Sequence, residues 1–414
     1  MPRLERLSIL VVSWNGLEHL ETCLESLSGQ RPPGVDVEIL LFDNGSTDGT
    51  AERVRRRFPG VRLHRSERNL GFAEANDRLA EVAEGDALVL VNNDTRARPE
   101  WLAALADAYA SAPGDVAGIA GAITDWEGER LDFGRGVMTF DGHAFALDQG
   151  RPLVVARQPA SGDETLFGCG GNLLVRRRSF LDAGGFDPRY FAYFEDVDLG
   201  WRLWAGGERL LYSSEAAVHH RASATSRRLG NRRRGAMFER NAMWTMLKNL
   251  EPALRTELLP AIFATYLSRI GALLAAGGVE GLATAHDSPG ASQHRPRASV
   301  RRRLAGHVRD LSRRAAGSSG DSALVVRSEA ALAQLEALGG IFGGLTALED
   351  ERRRLLARRT RSDREIFERF PLWIVPTYPG DERFFDSEFF ASLLPAAMQF
   401  ERAALAEVIA TTPE

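Results

Sequence analysis

Three carboxylates fall within four residues at Glu195-Asp196-Val197-Asp198, between the aromatic pair Tyr193-Phe194 and Trp201-Arg202. Desolvation by aromatic neighbours and repulsion between like charges both raise a carboxylate pKa, which suits one of the three to act as a general base. Two plainer readings stand beside this one. Asp196 is placed to cap the helix that contains Leu199 and Leu203, and Asp198 and Arg202 are spaced for an i,i+4 ion pair. Four further polar clusters each follow an apolar run: Ser13-Trp14-Asn15-Gly16, Asp43 to Gly49, Arg68 to Phe72, and Asn92-Asn93-Asp94. Asp43 can accept hydrogen bonds from a base or ribose. Asp94 offers a hard oxygen to Mg²⁺ or Mn²⁺, ions that usually take only one or two protein carboxylates beside phosphate oxygens. Asn-Gly and Asp-Gly pairs also form turns for conformational reasons alone. No cluster is a Walker loop or a GxGxxG turn, so ATPase and dinucleotide-binding readings lose support.

These clusters need a scaffold that brings them to one end. Leu7–Val12, Val37–Phe42 and Ala87–Val91 are continuous apolar runs, as in strands buried on both faces. Helical spacing joins Leu17, Leu20, Leu24 and Leu27, and helices are predicted at Thr50–Phe58 and Phe72–Ala83, with Pro99 opening the next. Val61–His64, Val116–Ala120 and Asn172–Arg177 read as strands, 125–164 as loops and short antiparallel strands, and Leu199–Ala205 as a short helix. Strand–helix alternation predicts an α/β fold with an open, mostly parallel sheet. Ligands in such sheets bind at the carboxyl ends of strands, where the polar clusters fall.

The chain has 414 residues, which at about 100–200 residues per domain predicts two to four units. Its 44% hydrophobic and 26% charged content is that of a globular protein, and its net charge of −4 argues against a nucleic-acid coat protein. All but one of the 52 basic residues are arginine, the exception being Lys248. Cys23 and Cys169 are the only cysteines, too few for a disulfide framework. Met1 to Arg6 lack a signal-peptide core, which predicts a cytoplasmic N-terminus. No run of about 18 uncharged apolar residues occurs, so no ordinary spanning helix is expected.

The motif order resembles glycosyltransferase family 2, of the type that includes bacterial rhamnosyltransferases. The resemblance rests on Val11-Val12-Ser13-Trp14-Asn15, Asp43-Asn44-Gly45-Ser46, Asn69-Leu70-Gly71-Phe72, Asn92-Asn93-Asp94, Gly184-Gly185-Phe186-Asp187 and Glu195 to Leu199, over about residues 7 to 250. It implies a GT-A fold, a nucleoside-diphosphate-sugar donor such as dTDP-rhamnose or a UDP-sugar, a divalent metal, and inversion at the anomeric carbon. It implies that Asp43 holds the nucleoside, Asp94 the metal, and that Asp196 is the base, with Glu195 as a second catalytic carboxylate. Ser13, Trp14, Asn15, Asn69, Gly71, Asn92, Asn93, Asp198 and Arg202 are assigned as further donor contacts. Asn92 stands where the family often has an aspartate, which removes one anionic ligand. Val218-His219-His220-Arg221, with Ser223 and Thr225, resembles the family's late histidine motif, and by register His220 is the metal ligand; a pair of exposed loop histidines is the plainer alternative. The acceptor implied is a glycan or polyprenyl-linked sugar in bacterial cell-surface polysaccharide synthesis. A sugar-nucleotide pyrophosphorylase, or a non-catalytic protein of the same fold, is the rival reading.

Four regions are expected: a catalytic domain at 1–250, an amphipathic helix at 251–276, a flexible basic linker at 277–325 and a helical region at 326–414. The seven arginines between Arg221 and Arg240 suit phosphates or a solvated helix face. The stripe Leu259, Ile262, Phe263, Tyr266, Leu267, Ile270, Leu273 and Leu274 either packs into the core or lies in a membrane interface, at the inner face of the membrane. Packing, a partner or a homo-oligomer accounts for the aromatic run Phe384, Phe385, Phe389 and Phe390.

Overall fold

The computed structural model describes residues 4–221, 230–276, 283–284, 322–323 and 328–410. The expected linker at 277–325 lies almost entirely outside the described residues, as do Ser223, Thr225, Arg227 and Arg228. In the N-terminal half the chain alternates between strand and helix: β1 (Arg6–Ser13), α1 (Leu17–Ser28), β2 (Asp36–Asn44), α2 (Thr50–Arg57), β3 (Val61–Ser66), α3 (Phe72–Val82) and β4 (Ala87–Asn92). After these come β5 (Thr95–Ala97), α4 (Trp101–Ser111), β6 (Val116–Thr124), β7 (Leu131–Phe133), the hairpin β8 (Arg135–Met138) and β9 (Ala144–Leu147), and β10 (Asn172–Arg176). Then follow α5 (Arg177–Asp182), α6 (Glu195–Ala205), β11 (Arg209–His220), α7 (Asn231–Asn249) and α8 (Pro252–Ala276).

The main sheet runs β3-β2-β1-β4-β10-β6-β11-β5, with β7 beside β6. Its central strands β1, β4, β6 and β10 are buried on both faces, which is why they read as unbroken apolar runs. Ile9, Val11, Val89 and Val91 point to the layer of α1 and α4, where Leu20, Leu24 and Trp101 meet them. Leu10, Leu88 and Leu90 point to the opposite layer with Leu79 and Phe180. This is the expected α/β architecture, with helices on both faces and a helical region after it. β1, β2, β3 and β4 are parallel. β10 then enters between β4 and β6, antiparallel to both.

Several local boundaries differ from expectation. α4 starts at Trp101, with Glu100 at its cap, so Pro99 lies inside the 98–101 turn that leads into the helix instead of opening it. α6 begins at Glu195, four residues before Leu199. Val218-His219-His220 lies in strand β11, paired with Thr95, Arg96 and Ala97 of β5, which sets aside the loop-histidine alternative.

The C-terminal region packs against this body. Leu258, Ile262, Tyr266 and Ile270 of α8 belong to the main core, Leu259, Phe263 and Leu274 pack against it, and Leu273 is buried, so the packing alternative holds for most of the stripe; Leu267 is 65% exposed. By length and mean hydropathy, Pro252–Ala275 and Glu329–Arg358 would both qualify to cross a bilayer, which a charge-free criterion misses. Arg269, at 1% exposure in the middle of α8, is instead paired inside the protein, with Asp141 at 2.6 Å and Asp381 at 2.9 Å. Phe385 and Phe390 close on Phe140, with ring centroids 5.6 and 5.3 Å apart. Asp363, fully buried, accepts from Trp201 Nε1 of α6 at 2.9 Å and from the Glu251 backbone N–H at 2.6 Å.

Candidate active site

The carboxyl ends of β1, β2 and β4 carry three of the polar clusters, as parallel order requires. Ser13 Oγ accepts from Asn93 Nδ2 at 3.0 Å, joining β1 to the turn after β4. Ser46 Oγ accepts from the Asn15 N–H at 2.9 Å, and Asn15 Oδ1 accepts from the Thr47 N–H at 2.8 Å. Trp14 is half-buried beside them. Asp43 Oδ1 accepts from the Ser46 N–H at 3.0 Å. Asp43 Oδ2 is buried and lies 3.1 Å from Arg65 Nε as an ion pair, off the line of a hydrogen bond, so its acceptor capacity is unfilled. Asn69 Oδ1 accepts from Asn44 Nδ2 at 3.0 Å and from the Gly71 N–H at 2.9 Å. These bonds shape the 69–71 turn. Gly71 itself has φ +91°, and a Cβ there would meet Phe191 O at 2.5 Å, so the backbone needs glycine.

Asp94, in the turn between β4 and β5, meets His220 at the end of β11. His220 Nε2 is 3.1 Å from Asp94 Oδ1, and His220 Nδ1 is 2.6 Å from Asp132 Oδ2 of β7. Asn92 Nδ2 lies 3.5 Å from His220 Nε2. Burial alone would lower the His220 pKa, but its bonds to Asp132 and Asp94 raise it to about 10. Burial would likewise raise Asp94, and the hydrogen bond and charge of His220 hold it below the ordinary carboxylate value instead. His219 faces away, with Nδ1 3.0 Å from Thr124 Oγ1. Asp132 is a site residue that sequence reasoning missed, because it lies in a weakly patterned segment where no spacing singles it out.

At the start of α6, Asp196 Oδ2 accepts from the Gly170 N–H at 2.9 Å and Oδ1 from the Val197 N–H at 2.8 Å. Asp196 keeps contact with solvent, whereas Glu195 is 6% exposed and its Oε2 has no hydrogen-bond partner. Burial, followed by the charge of Asp196, pushes Glu195 well above the ordinary glutamate value. Burial also raises Asp196, against the pull of its backbone donors. Gly171 abuts the other half of the site, since a Cβ there would meet Asn92 Nδ2 at 2.8 Å. One glycine turn therefore touches both the Asp196 carboxylate and the Asn92 side chain beside Asp94 and His220.

The donor roles assigned to Asp198 and Arg202 are corrected by the structure. Asp198 is fully buried and binds Arg202, Lys248 and Asn249, each at 2.8 Å. Arg202 also donates to the carbonyls of Ala183 and Gly185 at 2.7 and 2.8 Å. Lys248 reaches Asp187 as well, at 3.0 Å. Both groups are consumed in a buried network that anchors α6 and the Gly184 to Asp187 turn, and the i,i+4 ion-pair alternative is the one the side chains adopt. The Arg-rich segment of α7 is likewise engaged: Arg240 donates to Arg189 O and Tyr190 O at 3.0 and 3.1 Å, and Arg232 pairs with Glu336.

The chain leading into α6 is strained. Phe191, Tyr193 and Phe194 have φ of +65°, +71° and +69°, a region that costs a non-glycine residue roughly 1–3 kcal/mol. Phe191, with ψ −58°, is the centre of a γ-turn closed by the Ala192 N–H on Tyr190 O at 2.8 Å.

The family model for Glycosyl transferase family 2 matches residues 8–183. The N-acetylglucosaminyl-diphospho-decaprenol L-rhamnosyltransferase of Mycobacterium tuberculosis is 36% identical over 245 residues, spanning 53% of this chain and 78% of that protein. A glucosyl-dolichyl phosphate glucuronosyltransferase of Haloferax volcanii is 23% identical over 231 residues, 52% of this chain and 69% of that one. Among solved structures, GalNAc-T7 with UDP, GalNAc and Mn²⁺ aligns with a TM-score of 0.44 and 20% identity, over 53% of this chain and 44% of that chain. The family model and the 36% identical relative make the protein a glycosyltransferase. Its motif order and a 36% identical relative of which it spans 78% agree: the chain belongs to glycosyltransferase family 2.

Proposed function

We propose that this protein moves a sugar, with inversion, from a nucleoside-diphosphate sugar to a polyprenyl-linked or glycan acceptor in bacterial cell-surface polysaccharide synthesis. dTDP-rhamnose is the first donor to test, because the 36% identical relative is named as an L-rhamnosyltransferase. A UDP-sugar is the second. The observation that carries the reading is the glycine turn that joins the Asp196 carboxylate to the Asn92, Asp94 and His220 group. A base and a diphosphate site on either side of one short turn suit in-line displacement.

The chain's residues divide the work. Asp43 Oδ2, buried and short of a donor, takes a hydroxyl or N–H of the nucleoside once Arg65 gives way. Asn15 and Ser46 hold the β1 and β2 turns in register around it. Asp196 takes the proton of the acceptor hydroxyl as that oxygen attacks the anomeric carbon from the face opposite the diphosphate, and no covalent sugar–enzyme intermediate is needed. Glu195 stands beside that base, with burial disfavouring its ionised form.

The donor set fits Mg²⁺ or Mn²⁺. Asp94 would supply a hard oxygen and His220 an imidazole nitrogen, the cation displacing the Nε2 proton, while Asp132 Oδ2 holds the far side of the ring at Nδ1. Among the described residues no group of three His, Cys, Asp or Glu side chains is arranged for a metal, so phosphate oxygens and water would complete the shell. A divalent cation held there would offset negative charge on the diphosphate. A lipid-linked acceptor would bring the enzyme to the inner face of the cell membrane as a peripheral protein, where the exposed Leu267 offers an apolar contact.

The test is a panel of dTDP-rhamnose, UDP-N-acetylglucosamine, UDP-galactose and GDP-mannose with Mn²⁺ or Mg²⁺, read as nucleoside-diphosphate release. Release from one donor, abolished by chelation and by Asp196→Asn, is the expected result. No release from any donor, with and without a polyprenyl-diphosphate-sugar acceptor, would overturn the reading.

A further inference from the structure

Asn241 lies in α7, 45 residues beyond Asp196 in the sequence and fully buried. Its side-chain amide nitrogen donates to three main-chain carbonyls of one short segment: Tyr190 O at 3.0 Å, Ala192 O at 2.9 Å and Tyr193 O at 2.8 Å. That segment carries the γ-turn at Phe191 and the left-handed residues Tyr193 and Phe194, and it ends directly at Glu195-Asp196. Strained backbone of this kind persists only where its surroundings over-determine it. Here the side-chain hydrogen bonds to its carbonyls come from one helix, α7. Arg240 donates to Tyr190 O, Thr245 Oγ1 lies 2.9 Å from Tyr190 Oη, and the Phe238 ring packs on Phe194 at 4.8 Å between centroids. Asn241 alone reaches three of the carbonyls. The segment also fixes the neighbouring helix, since Phe191 O accepts from the Phe72 and Ala73 N–H groups at the start of α3, at 2.6 and 3.3 Å.

We infer that Asn241 is a positioning residue for sugar transfer: it holds the strained 190–194 segment in the one conformation that aims the Asp196 carboxylate at the acceptor hydroxyl. This rests on the assignment of Asp196 as the base. Asn241 touches neither donor nor acceptor. Its loss should slow the chemical step while the nucleotide site at the ends of β1, β2 and β4 stays as it is.

The experiment compares Asn241→Ala, Asn241→Asp and Asp196→Asn, using dTDP-rhamnose with Mn²⁺ (or the donor that turns over in the panel) and calorimetry of dTDP or UDP. Asn241→Asp sets a carboxylate against three carbonyl oxygens with little change of shape. Turnover is expected to fall about 10–100-fold in both Asn241 variants, below the loss of the base itself. Nucleoside-diphosphate affinity should change less than about threefold. The acid limb of kcat should move to lower pH, because a loosened Asp196 is better solvated and its raised pKa falls back. Adding Phe191→Gly to Asn241→Ala should restore part of the turnover, since glycine adopts the required φ without being forced. Wild-type turnover in a folded Asn241→Ala would overturn the inference. So would a loss shared equally between turnover and nucleotide affinity, with an unmoved pH limb. If Asn241→Ala does not fold, the inference stands or falls on Asn241→Asp and on rescue by Phe191→Gly. Unimpaired Asp196→Asn would instead sink the base assignment, a distinct failure.

Discussion

Replacing Glu195 by Gln separates two carboxylates that adjoin in sequence and differ in surroundings. Glu195 is 6% exposed with an unpartnered Oε2, and burial with a charged neighbour keeps its pKa well above the ordinary value. Burial and a charged neighbour thus disfavour its ionised form, and Gln copies the shape and the lack of charge of the protonated one. Asp196 accepts two backbone N–H groups and reaches solvent, which leaves it the carboxylate able to ionise at working pH. Turnover of Glu195→Gln should stay within about threefold of wild type. Asp196→Asn should lose about 10²–10⁴-fold, the usual worth of a positioned base, equivalent to about 2.7–5.5 kcal/mol of barrier. The pH profile gives the sign. A base must be deprotonated, so kcat rises with pH through the Asp196 pKa, which burial places above the ordinary aspartate value. That acid limb should survive in Glu195→Gln and vanish from the residual rate of Asp196→Asn. The assay is nucleoside-diphosphate release at saturating donor between about pH 4 and 9, with calorimetry to show that the donor site is intact. Equal losses in the two variants, or an acid limb lost from Glu195→Gln alone, would refute the division of roles.

Other expected outcomes follow from the same geometry. Asp94→Ala should weaken nucleoside-diphosphate binding in the presence of Mn²⁺ and have little effect in its absence; metal-independent binding by the wild type would remove the role given to Asp94. His220→Ala should lower turnover more than His219→Ala, because only His220 lies beside Asp94, and equal small losses would count against it. Arg269→Met should destabilise the fold by about 3–5 kcal/mol, the usual cost of leaving a buried carboxylate without its partner, as read by urea unfolding; a loss under about 1 kcal/mol would mean that the Asp141–Arg269–Asp381 cluster holds little.

What could be read from the sequence follows from locality. β1, β2 and β4 were legible because strands buried on both faces show unbroken apolar runs, and Asp43 and Asp94 stand just past two of those runs. The place of β10 was not legible: Asn172–Arg176 looks like any buried strand, and its direction is set by partners Ala87–Val91 and Gly118–Ala120, far along the chain. Asp198 and Arg202 look like ligand-binding groups because charge in a motif does not reveal burial. Arg202 and Lys248 together neutralise Asp198, and Lys248 is 50 residues away from it. Asn241 gave no signal at all, since a lone asparagine in an arginine-rich helix shows nothing of the three carbonyls it meets.

The hydrogen bond from Trp201 to Asp363 has a consequence in time. The two residues are 162 positions apart, and a ribosome adds roughly 5–20 residues per second. For about 8–30 seconds after Trp201 is made, the helix that bears the base has no Asp363 to hold its indole, and the Glu251 amide that shares this carboxylate is also unpartnered. A nascent chain can thus lay down its nucleotide-binding strands early and still lack a braced base helix. Sugar transfer should begin only after the C-terminal helices have left the ribosome and docked, so a stalled or truncated chain could occupy donor without spending it.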